Sequence, residues 1–374
     1  MRIVIAGGGT GGHTSAGLAV AASLQRRGGI ELHWVGTADG VEARRASEAG
    51  IAFHAVAAGK LRRYWDRRNI RDLLVRVPAG LAQSLSLLRE LRPDLLFATG
   101  GFVALPPALA ARALRIPLVI HEQTVVPGLA NRIAGRFARR IALSFPPADR
   151  TFPPDRITVT GNPLRPELEG GVAGEAFRVL GLEWGLPLVY VTGGAQGSHR
   201  VNRAVGAVLP DLLERAVVAH QCGDNPATGD REWLAGEAAR LPVRLRGRYA
   251  LRPWVGEELR HIYAAAALVV SRSGAGTVNE CCHLGRPAIY VPLPGTSGDE
   301  QTANARYVAG IGGAVVLPQS ELDGARLLEH VRQLLDNPEA LRRMGEAARR
   351  LARPDAADRI AALLIEVVRG RYAA

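Results

Sequence analysis

The 374-residue sequence is poor in lysine and in aromatic residues, and both shortages bear on its function. Lys60 is its only lysine, so the formal net charge of +12 comes almost entirely from arginine. Aromatic residues make up 5% of the chain and do not alternate with the arginines, which disfavours nucleic-acid binding by base stacking. The charge then reflects either a compositional bias toward arginine or attraction to an anionic partner, such as phosphate ligands or an acidic membrane surface.

Cysteine and long apolar runs are also scarce. Cys222, Cys281 and Cys282 form neither a CxxC pair nor a disulfide framework, which is typical of a reducing cytoplasm. No uninterrupted apolar run reaches the roughly 18 residues that a membrane span needs, so we expect no spanning helix. The chain opens with a short apolar strand and no charged-then-apolar leader, so we expect no secretory signal. No His or Cys cluster has the spacing of metal ligands, so we expect no protein-bound metal.

Glycine, in contrast, is abundant, and four times an apolar strand runs into a glycine-rich turn. The turns are Gly7–His13, Gly100–Gly101, Gly193–Gly197 and Ser273–Thr277. Glycine allows a positive φ and leaves room for a ligand close to the backbone. Where a helix follows, its first N–H groups and its dipole face the turn, which suits phosphate. Two such turns in each half of the chain predict two nucleotide-fold domains facing each other across a cleft.

The rest of the chain supports this α/β prediction, because short apolar runs alternate with helix-like stretches, as in parallel sheets with crossover helices. In the first half, strands are predicted at Arg2–Ala6, Leu32–Val35, Phe53–Ala55, Leu95–Thr99, Leu118–His121, Ile141–Ser144 and Ile157–Val159. In the second half, they are predicted at Leu188–Thr192, Ala216–Gln221, Val243–Arg246, Leu268–Ser271, Ala288–Val291 and Ala314–Leu317. We therefore predict two Rossmann-like, doubly wound domains.

The boundary between the two domains is predicted near Gly161-Asn162-Pro163, after the last strand of the first half. This gives an N-terminal domain over 1–163 and a second domain over 164–350. The remaining residues, 351–374, follow a helical pattern that breaks at Arg353-Pro354. Their last piece, Ala356–Tyr372, is a candidate to pack back on the first domain.

The first glycine turn invites a dinucleotide-binding interpretation. That interpretation requires an acid at the end of the second strand, but the strand ends Trp34-Val35-Gly36-Thr37, with no acid until Asp39. His13 also lies in the turn, where a closely packed pyrophosphate would not usually leave room for it. We therefore disfavour NAD or FAD. His13 is either a structural hydrogen-bonding residue or a ligand contact and candidate general base, since open α/β sheets bind ligands at such junctions.

Further polar residues follow other predicted strands. His121-Glu122-Gln123 ends an apolar strand and can reach the crevice, or can simply hydrogen-bond with itself and the neighbouring loop. Arg165, beside the predicted hinge, can clamp a diphosphate or be a plain surface residue. Glu280 lies about one turn into the helix that the last glycine turn opens. Its carboxylate can accept two ribose hydroxyls or can act as a capping carboxylate. Asp299–Asn304 suits sugar hydroxyls or an exposed helix start.

Taken together and in order, these motifs resemble those of the MurG family, the UDP-N-acetylglucosamine:N-acetylmuramyl-(pentapeptide)-pyrophosphoryl-undecaprenol N-acetylglucosaminyltransferases. The resemblance covers nearly the whole chain and rests on Gly8–His13, Gly100–Val103, His121–Gln123, Gly161–Arg165, Gly193–Gly197, Ser271–Ala275, Glu280 and Gln301–Asn304. It implies a GT-B fold and inverting transfer of GlcNAc from UDP-GlcNAc to lipid I. The product is then lipid II, made for peptidoglycan on the cytoplasmic face of the membrane without a protein-bound metal or other cofactor.

The resemblance also implies roles for individual residues. His13 is the implied candidate for the general base, Glu280 for the ribose contact and Gln301 for the sugar contact. Arg165 and the Ala275–Thr277 turn are implied to lie along the diphosphate, and Val255 near the uracil. The full implied donor-binding set is Thr10, Gly11, Gly12, Thr124, Arg165, Ala195, Val255, Ala275, Gly276, Thr277, Val278, Asn279, Glu280 and Gln301.

Three positions depart from the family pattern. Thr124 stands where the family has asparagine, so a sugar contact expected from an amide must be weaker or different. Ala195 replaces a serine whose hydroxyl faces phosphate. Asp299-Glu300 precedes Gln301 in a loop that usually lacks acids. These departures affect the details of donor binding more than the reaction class.

A basic amphipathic stretch from Lys60 to Arg76 has two interpretations. Apolar side chains flanked by arginines predict a patch on an anionic membrane surface. The alternative is a helix that faces the core and exposes a charged side. The residues proposed for the membrane or the acceptor are Trp65, Arg67, Arg68, Ile70, Leu73 and Leu74.

Three functions remain open on the sequence alone. The first is the UDP-GlcNAc transferase just described, with a lipid-linked MurNAc-pentapeptide acceptor and no nucleic-acid partner. The second is a related GT-B transferase that uses another lipid or a small-molecule acceptor. The third is a catalytically silent nucleotide-sugar-binding or scaffold protein, which the presence of His13, Glu280 and Gln301 disfavours.

Overall fold

The computed structural model describes residues 1–9, 11–59, 75–147, 150–295 and 297–372. The chain divides into two compact units, and each is described separately below. The first unit contains Met1–Arg165 together with Arg353–Ala374, and the second contains Pro166–Ala352. The chain therefore leaves the first unit after Arg165 and returns to it at Arg353.

The first unit is built on a seven-stranded parallel sheet with the order β3-β2-β1-β4-β5-β6-β7. Its strands are β1 Arg2–Gly7, β2 Glu31–Gly36, β3 Ala52–Ala55, β4 Leu95–Gly100, β5 Leu118–Glu122, β6 Arg140–Leu143 and β7 Ile157–Val159. Ile5 of β1 is in register with Trp34 of β2 on one side and with Phe97 of β4 on the other. The order reverses between β1 and β4, which makes this the switch point where doubly wound sheets bind ligands.

Helices cover both faces of this sheet, and they include α1 Gly11–Arg27, α2 Val41–Glu48, α3 Val77–Leu91, α4 Leu105–Ala113 and α5 Leu129–Gly135. Alternate residues of β1 enter two different cores. Ile3 and Ile5 pack with one cluster and Val4 and Ala6 with the other. All four are fully buried, which explains why the strand is a continuous apolar run without polar alternation.

The second unit repeats this design with a six-stranded parallel sheet in the order β10-β9-β8-β11-β12-β13. Its strands are β8 Leu188–Thr192, β9 Val217–Gln221, β10 Tyr249–Arg252, β11 Ala266–Ser271, β12 Ala288–Tyr290 and β13 Ala314–Val316. The switch point lies between β8 and β11, so each of the two sheets carries two of the glycine turns at its switch point.

The helices of the second unit include α6 Ala173–Leu180, α7 His199–Ala207, α8 Leu209–Leu213, α9 Asp230–Ala239, α10 Val243–Arg246, α11 Leu259–Ala265, α12 Ala275–Leu284, α13 Glu300–Gly310, α14 Gly324–Leu335 and α15 Pro338–Arg349. Short 3₁₀ turns occur in the two units at Phe102–Ala104, Pro154–Arg156, Pro166–Leu168 and Ser297–Asp299. Val189 and Val191 of β8 pack with Val205 and Leu327 in the main core of this unit.

The last helix, α16 Ala356–Tyr372, belongs to the first unit. Its buried residues Ile360 and Leu364 join the core cluster that contains Ile3 and Val20. The Ser23 hydroxyl of α1 donates a hydrogen bond to the Asp358 carboxylate near the start of this helix. Among the described residues, no helix is long and apolar enough to cross a membrane.

One strand prediction is wrong. Val243–Arg246 forms the short helix α10, and the strand of this region is β10 at Tyr249–Arg252. The Val-Arg-Leu-Arg alternation resembles a half-buried strand. However, Pro242 stands at the helix start, and the Leu245 N–H donates to the Pro242 carbonyl at 2.8 Å. Val243 is 79% exposed, so the alternating pattern does not correspond to a buried face.

Candidate active site

The switch point of the first unit brings the turn after β1 together with the turn after β4. Gly9, Gly100 and Gly101 have φ values of 76°, 100° and 79°, which side chains rarely adopt. A Cβ on Gly101 would lie 2.5 Å from the carbonyl oxygen of Gly8, so the two turns are in direct backbone contact. Glycine is therefore required here by packing as well as by conformation.

A buried carboxylate, Glu42 of α2, fills the space beside the first turn. Its Oε2 accepts a hydrogen bond from the Gly9 N–H at 3.3 Å, and its Oε1 accepts from the N–H and the hydroxyl of Thr37 at 3.0 and 2.8 Å. A Cβ on Gly8 would lie 2.2 Å from the Glu42 carboxyl carbon. A negatively charged protein group thus takes the space and the N–H group that a pyrophosphate would need, which argues against dinucleotide binding at this turn.

His13 lies in the first turn of α1, and its Nδ1 is 2.8 Å from the Thr99 carbonyl oxygen. A carbonyl only accepts hydrogen bonds, so Nδ1 carries the proton and the Nε2 of the neutral ring keeps its lone pair. Burial lowers the pKa of His13, although the Glu122 carboxylate and the Thr99 carbonyl act in the opposite direction. The ring is therefore neutral near pH 7 and has the proton-accepting form that a general base needs.

Glu122 of β5 holds the loop that follows it. Its Oε1 accepts from the Thr124 N–H at 3.0 Å, and its Oε2 accepts from the Gly128 N–H at 3.1 Å and from the Asn131 amide at 2.9 Å. The Thr124 hydroxyl donates a hydrogen bond to Glu122 Oε1 at 2.7 Å, so the Thr124 side chain already has a partner within the protein. Glu122 thus shapes the loop, and its neighbour Gln123 donates to the Gly12 carbonyl at 3.3 Å.

His121 is fully buried and has a structural environment. Its Nε2 donates to the Gly161 carbonyl at 3.2 Å, and its Nδ1 has no hydrogen-bond partner among the described residues. The pKa of His121 is lowered to about 4, mainly by burial and to a lesser degree by His13, while the bond to Gly161 opposes the shift. His121 is therefore neutral near pH 7 and connects β5 to the segment that leads out of the first unit.

The remaining predicted residues of the first unit fall into two groups. Thr10 and the proposed membrane residues lie outside the described residues; the latter are Trp65, Arg67, Arg68, Ile70, Leu73 and Leu74. Gly11 and Gly12 begin α1, and a Cβ on Gly11 would meet no described atom within 4 Å. Arg165 is partly buried and is the last residue of the first unit.

The switch point of the second unit forms a cavity of about 580 Å³ between the turns after β8 and β11. Its lining residues come from both turns and from neighbouring elements, and they include Gly194, Ser198, Arg200, Arg272, Thr277 and Gln301. Ala195 lies exposed in the first of these turns. Val255 is 5% exposed, so its side chain belongs to the core of this unit.

The start of α12 leaves N–H groups available at this cavity. Gly274 precedes the helix and provides no side-chain cap, so the N–H groups of Ala275, Gly276 and Thr277 have no intrahelical acceptor. A Cβ on Gly274 or Gly276 would meet no described atom within 4 Å. Open space beside unpaired helical N–H groups and a positive dipole end suits an anionic ligand.

The next residues of α12 differ among themselves. The Val278 side chain is fully buried, and its N–H donates to the Gly274 carbonyl at 3.1 Å. The Asn279 amide donates to the Ala275 carbonyl at 2.7 Å. Glu280 is partly buried, and its Oε2 accepts from the Tyr263 hydroxyl at 2.8 Å. Of these three side chains, only Glu280 combines partial exposure with a ligand-binding carboxylate.

Gln301 lies in the first turn of α13 and borders the cavity. Its Oε1 accepts from the Leu293 N–H at 3.0 Å, and its carbonyl oxygen accepts from the Ser273 hydroxyl at 2.8 Å. The first of these bonds fixes the side-chain amide so that its NH₂ group is the end that can donate to a ligand. The second bond connects the first turn of α13 to the glycine turn before α12.

Arg272 is a cavity residue that the sequence interpretation did not select. Its guanidinium donates to the carbonyls of Val291 and Pro292 at 3.0 and 3.2 Å and to the Gln319 amide oxygen at 2.6 Å, all of which are neutral acceptors. Burial, and to a lesser degree the nearby Arg200, lower the pKa of Arg272 to about 10, so it stays charged near pH 7. Arg272 and Arg200 both border this cavity and supply positive charge there, which favours anions. As one of 46 arginines, Arg272 had no distinguishing signal apart from its place beside a glycine turn.

No group of three or more His, Cys, Asp or Glu side chains within the described part of the chain is arranged to hold a metal ion. The titratable groups near the first switch point are Glu42, Glu122, His13 and His121. Those near the second are Arg200, Arg272, His199, Asp230 and Glu280, and the Asp230 carboxylate is bonded within the protein by His199, Asn202 and Arg203. The chemistry available at these sites is therefore proton transfer at His13 and anion binding at the second cavity.

Comparison with known proteins agrees with this division. Residues 3–143 match the glycosyltransferase family 28 N-terminal domain, and residues 188–360 match the family 28 C-terminal domain. A protein of Alkalilimnicola ehrlichii is 40% identical over 371 residues, which is 99% of each chain. A protein of Treponema pallidum (strain Nichols) is 39% identical over 336 residues, covering 89% of this chain and 86% of its own. Both are named UDP-N-acetylglucosamine–N-acetylmuramyl-(pentapeptide) pyrophosphoryl-undecaprenol N-acetylglucosamine transferase.

A solved structure gives the same assignment. The crystal structure of Acinetobacter baumannii MurG superposes with a TM-score of 0.72 at 28% identity, over 98% of this chain and 99% of that one. The two Rossmann-like units and the matched domains define a glycosyltransferase with the GT-B fold. Within that class, the chain belongs to the MurG family.

Proposed function

We propose that this enzyme transfers N-acetylglucosamine from UDP-GlcNAc to lipid I, undecaprenyl-pyrophosphoryl-MurNAc-pentapeptide. The product is lipid II for peptidoglycan synthesis. The observation that carries the proposal is the 40% identity, over 99% of both chains, to a relative named for this reaction. The cavity of the second unit, with Arg200, Arg272 and the helical N–H groups that have no intrahelical acceptor, independently suits a nucleoside diphosphate donor.

The donor contacts are proposed as follows. The N–H groups of Ala275–Thr277 and the Arg165 guanidinium bind the diphosphate. Glu280 accepts the ribose hydroxyls, Gln301 donates to the sugar and Val255 lies near the uracil. Arg272 and Arg200 add positive charge at the same cavity, which favours a donor carrying two phosphates.

The proposed reaction is a direct displacement that inverts the anomeric carbon. The acceptor hydroxyl attacks C1 of GlcNAc while His13 Nε2 takes the hydroxyl proton, and the bond from C1 to the UDP oxygen breaks. The neutral form of His13 and the lone pair on its Nε2 support the role of base. Negative charge that develops on the departing UDP is stabilised by the arginines and helical N–H groups. No step is assigned to a protein-bound metal or another cofactor.

The place of action is proposed to be the cytoplasmic face of the membrane, with the enzyme bound peripherally. The support is the basic amphipathic sequence from Lys60 to Arg76, in which arginines flank apolar residues. Binding to vesicles with and without anionic lipid tests this point. We expect sedimentation with anionic vesicles that weakens as salt rises, and equal binding to neutral vesicles would contradict the electrostatic component.

The function is tested by incubating the protein with UDP-GlcNAc and a lipid I analogue while UDP release and disaccharide formation are scored. We expect both products in equal amounts, and much slower turnover with UDP-GalNAc. UDP release that requires a different acceptor would favour a related GT-B transferase. Binding of UDP-GlcNAc without turnover on any acceptor would favour a catalytically silent protein.

A further inference from the structure

Tyr263 is a hydrogen-bond partner of the Glu280 carboxylate. It belongs to α11, which leads into β11, whereas Glu280 belongs to α12, which follows β11. Tyr263 is 1% exposed, and its hydroxyl lies 2.8 Å from Glu280 Oε2. A buried phenol and a partly exposed carboxylate are thus held together, and Glu280 follows the cavity-lining residue Thr277 by three positions in the same helix.

The chemistry of the pair fixes the direction of this hydrogen bond. Burial raises the pKa of Tyr263 well above its ordinary value, and the adjacent Glu280 carboxylate raises it further. The phenol therefore keeps its proton, and an ionised carboxylate can only accept one. Tyr263 donates to Glu280 in a charge-assisted hydrogen bond, which is among the stronger kinds in proteins.

Tyr263 is itself held by a buried chain of contacts. Its ring meets the Tyr190 ring edge-on, with centroids 5.5 Å apart and an interplanar angle of 82°. The Tyr190 hydroxyl donates to Gln221 Oε1 at 2.8 Å, and the Gln221 amide donates to the Gly194 carbonyl at 3.4 Å. These contacts connect Tyr263, through residues of β8 and β9, to the other glycine turn of the cavity.

We propose that Tyr263 is a positioning residue that orients the Glu280 carboxylate for the ribose hydroxyls and so sets a preference for ribonucleotide donors. A site built to hydrogen-bond a hydroxyl discriminates strongly against an analogue that lacks it, but only while the site's own polar group is held in place. The inference rests on the proposed function in one respect, namely that Glu280 is the ribose contact.

The test compares the binding of UDP and of 2′,3′-dideoxy-UDP by calorimetry. The wild-type protein should prefer UDP. Tyr263→Phe removes only the hydroxyl, and we expect it to weaken UDP binding by about ten-fold, in line with the loss of a hydrogen bond to a charged group. Binding of the dideoxy analogue should change by less than about two-fold, because that ligand has no hydroxyl for the carboxylate to accept.

Tyr249→Phe is the matched control. The Tyr249 hydroxyl also has a buried hydrogen-bond partner in the second unit, His220 Nδ1 at 2.9 Å, but it does not contact Glu280. This variant should leave both affinities within about two-fold of the wild type. In a Glu280→Gln background, Tyr263→Phe should have a smaller effect on UDP binding, because the charge that it supports is gone.

The outcomes separate this inference from the proposed function. If Tyr263→Phe weakened the binding of UDP and of the dideoxy analogue equally, the Tyr263 hydroxyl would have a merely structural role and the inference would be overturned. Unchanged UDP affinity in this variant would overturn it too. Failure of the wild-type protein to bind UDP would overturn it as well. Transfer is measured separately, so a wild type that prefers UDP over its dideoxy analogue but glycosylates no lipid I analogue would refute only the proposed function.

Discussion

The switch points of the two units have glycine turns of the same kind, but different groups fill the space beside them. In the first unit, the buried Glu42 carboxylate accepts from the Gly9 N–H and lies where a Cβ of Gly8 would be. In the second unit, a Cβ on Gly274 or Gly276 would meet no described atom within 4 Å. A protein carboxylate therefore occupies one turn, and the other remains open to a ligand.

The charged side chains around the two switch points differ as well. The first contains the carboxylates of Glu42 and Glu122 with a neutral His13. The second contains Arg272 and Arg200, and its one lining carboxylate among the described residues, Asp230, is held by hydrogen bonds with His199, Asn202 and Arg203. This comparison teaches that a glycine turn is not by itself a phosphate site. The side chains beside it decide whether its N–H groups serve the protein or an anion, and here they leave the first unit suited to proton transfer.

The largest expected effect comes from removing the base. His13→Ala should lower kcat by about 10²- to 10⁴-fold, the usual contribution of general acid–base catalysis. UDP affinity should be unchanged, because the anion-binding groups of the second cavity remain. Steady-state kinetics and calorimetry on the same preparation measure the two effects. A kcat close to that of the wild type would remove His13 from the role of base.

A pair of glycine substitutions sharpens the comparison between the turns. Gly8→Ala places a methyl group against a carboxylate held by three hydrogen bonds, and we expect it to lower the free energy of unfolding by about 1–3 kcal/mol. Gly276→Ala faces open space in a helix, where alanine is favoured over glycine by up to about 1 kcal/mol. Stability should then hold or rise, while the methyl group weakens UDP binding.

Unfolding curves and UDP titrations of both variants measure these effects. The comparison would fail if Gly8→Ala unfolded like the wild type, or if Gly276→Ala bound UDP with full affinity.

The last expected effect is a dependence of stability on pH that both units share. Burial lowers the pKa of His121 in the first unit to about 4 and that of His220 in the second to about 3. Above the unfolded pKa of about 6.5, neither state binds the proton, and the stability is fully present. Below it, the unfolded chain binds protons that the folded chain does not, so each histidine lowers the free energy of unfolding by about 1.4 kcal/mol per pH unit.

This loss should continue to about pH 4 for His121 and to about pH 3 for His220. This loss is measured by urea unfolding at pH 7 and pH 5, with hydrogen exchange used to monitor the unfolding of each unit. Equal or greater stability at pH 5 would contradict the buried neutral state of both side chains.

Much of the fold follows from local patterns. Apolar runs located twelve of the thirteen described strands, and the helical pattern after Pro354 has the observed bounds Ala356–Tyr372. The wrong strand prediction at Val243–Arg246 also has a local cause, because the alternating run resembles a strand although Pro242 stands at the start of a helix there. The glycine turns likewise predicted where the switch points lie. Each turn directly follows a short apolar strand, and that order can be read along the sequence.

The side chains that distinguish the two switch points could not be predicted in the same way. Glu42 reaches Gly9 only because β2 lies beside β1, and Tyr263 reaches Glu280 only because α11 and α12 flank the same strand. Tyr263 stands in the continuous apolar run Ile262–Val270, where nothing in the sequence indicates a polar role. Such contacts depend on the tertiary fold and cannot be predicted from the spacing of residues along the chain.

Hydrogen exchange with and without UDP tests the central claim most directly, because it reports on both switch points in one experiment. We predict that UDP slows exchange in peptides spanning Gly193–Ala207 and Gly274–Leu284 and leaves those spanning Arg2–Gly9 unchanged. Protection of the first turn without protection of the start of α12 would contradict the assignment of the donor to the second unit.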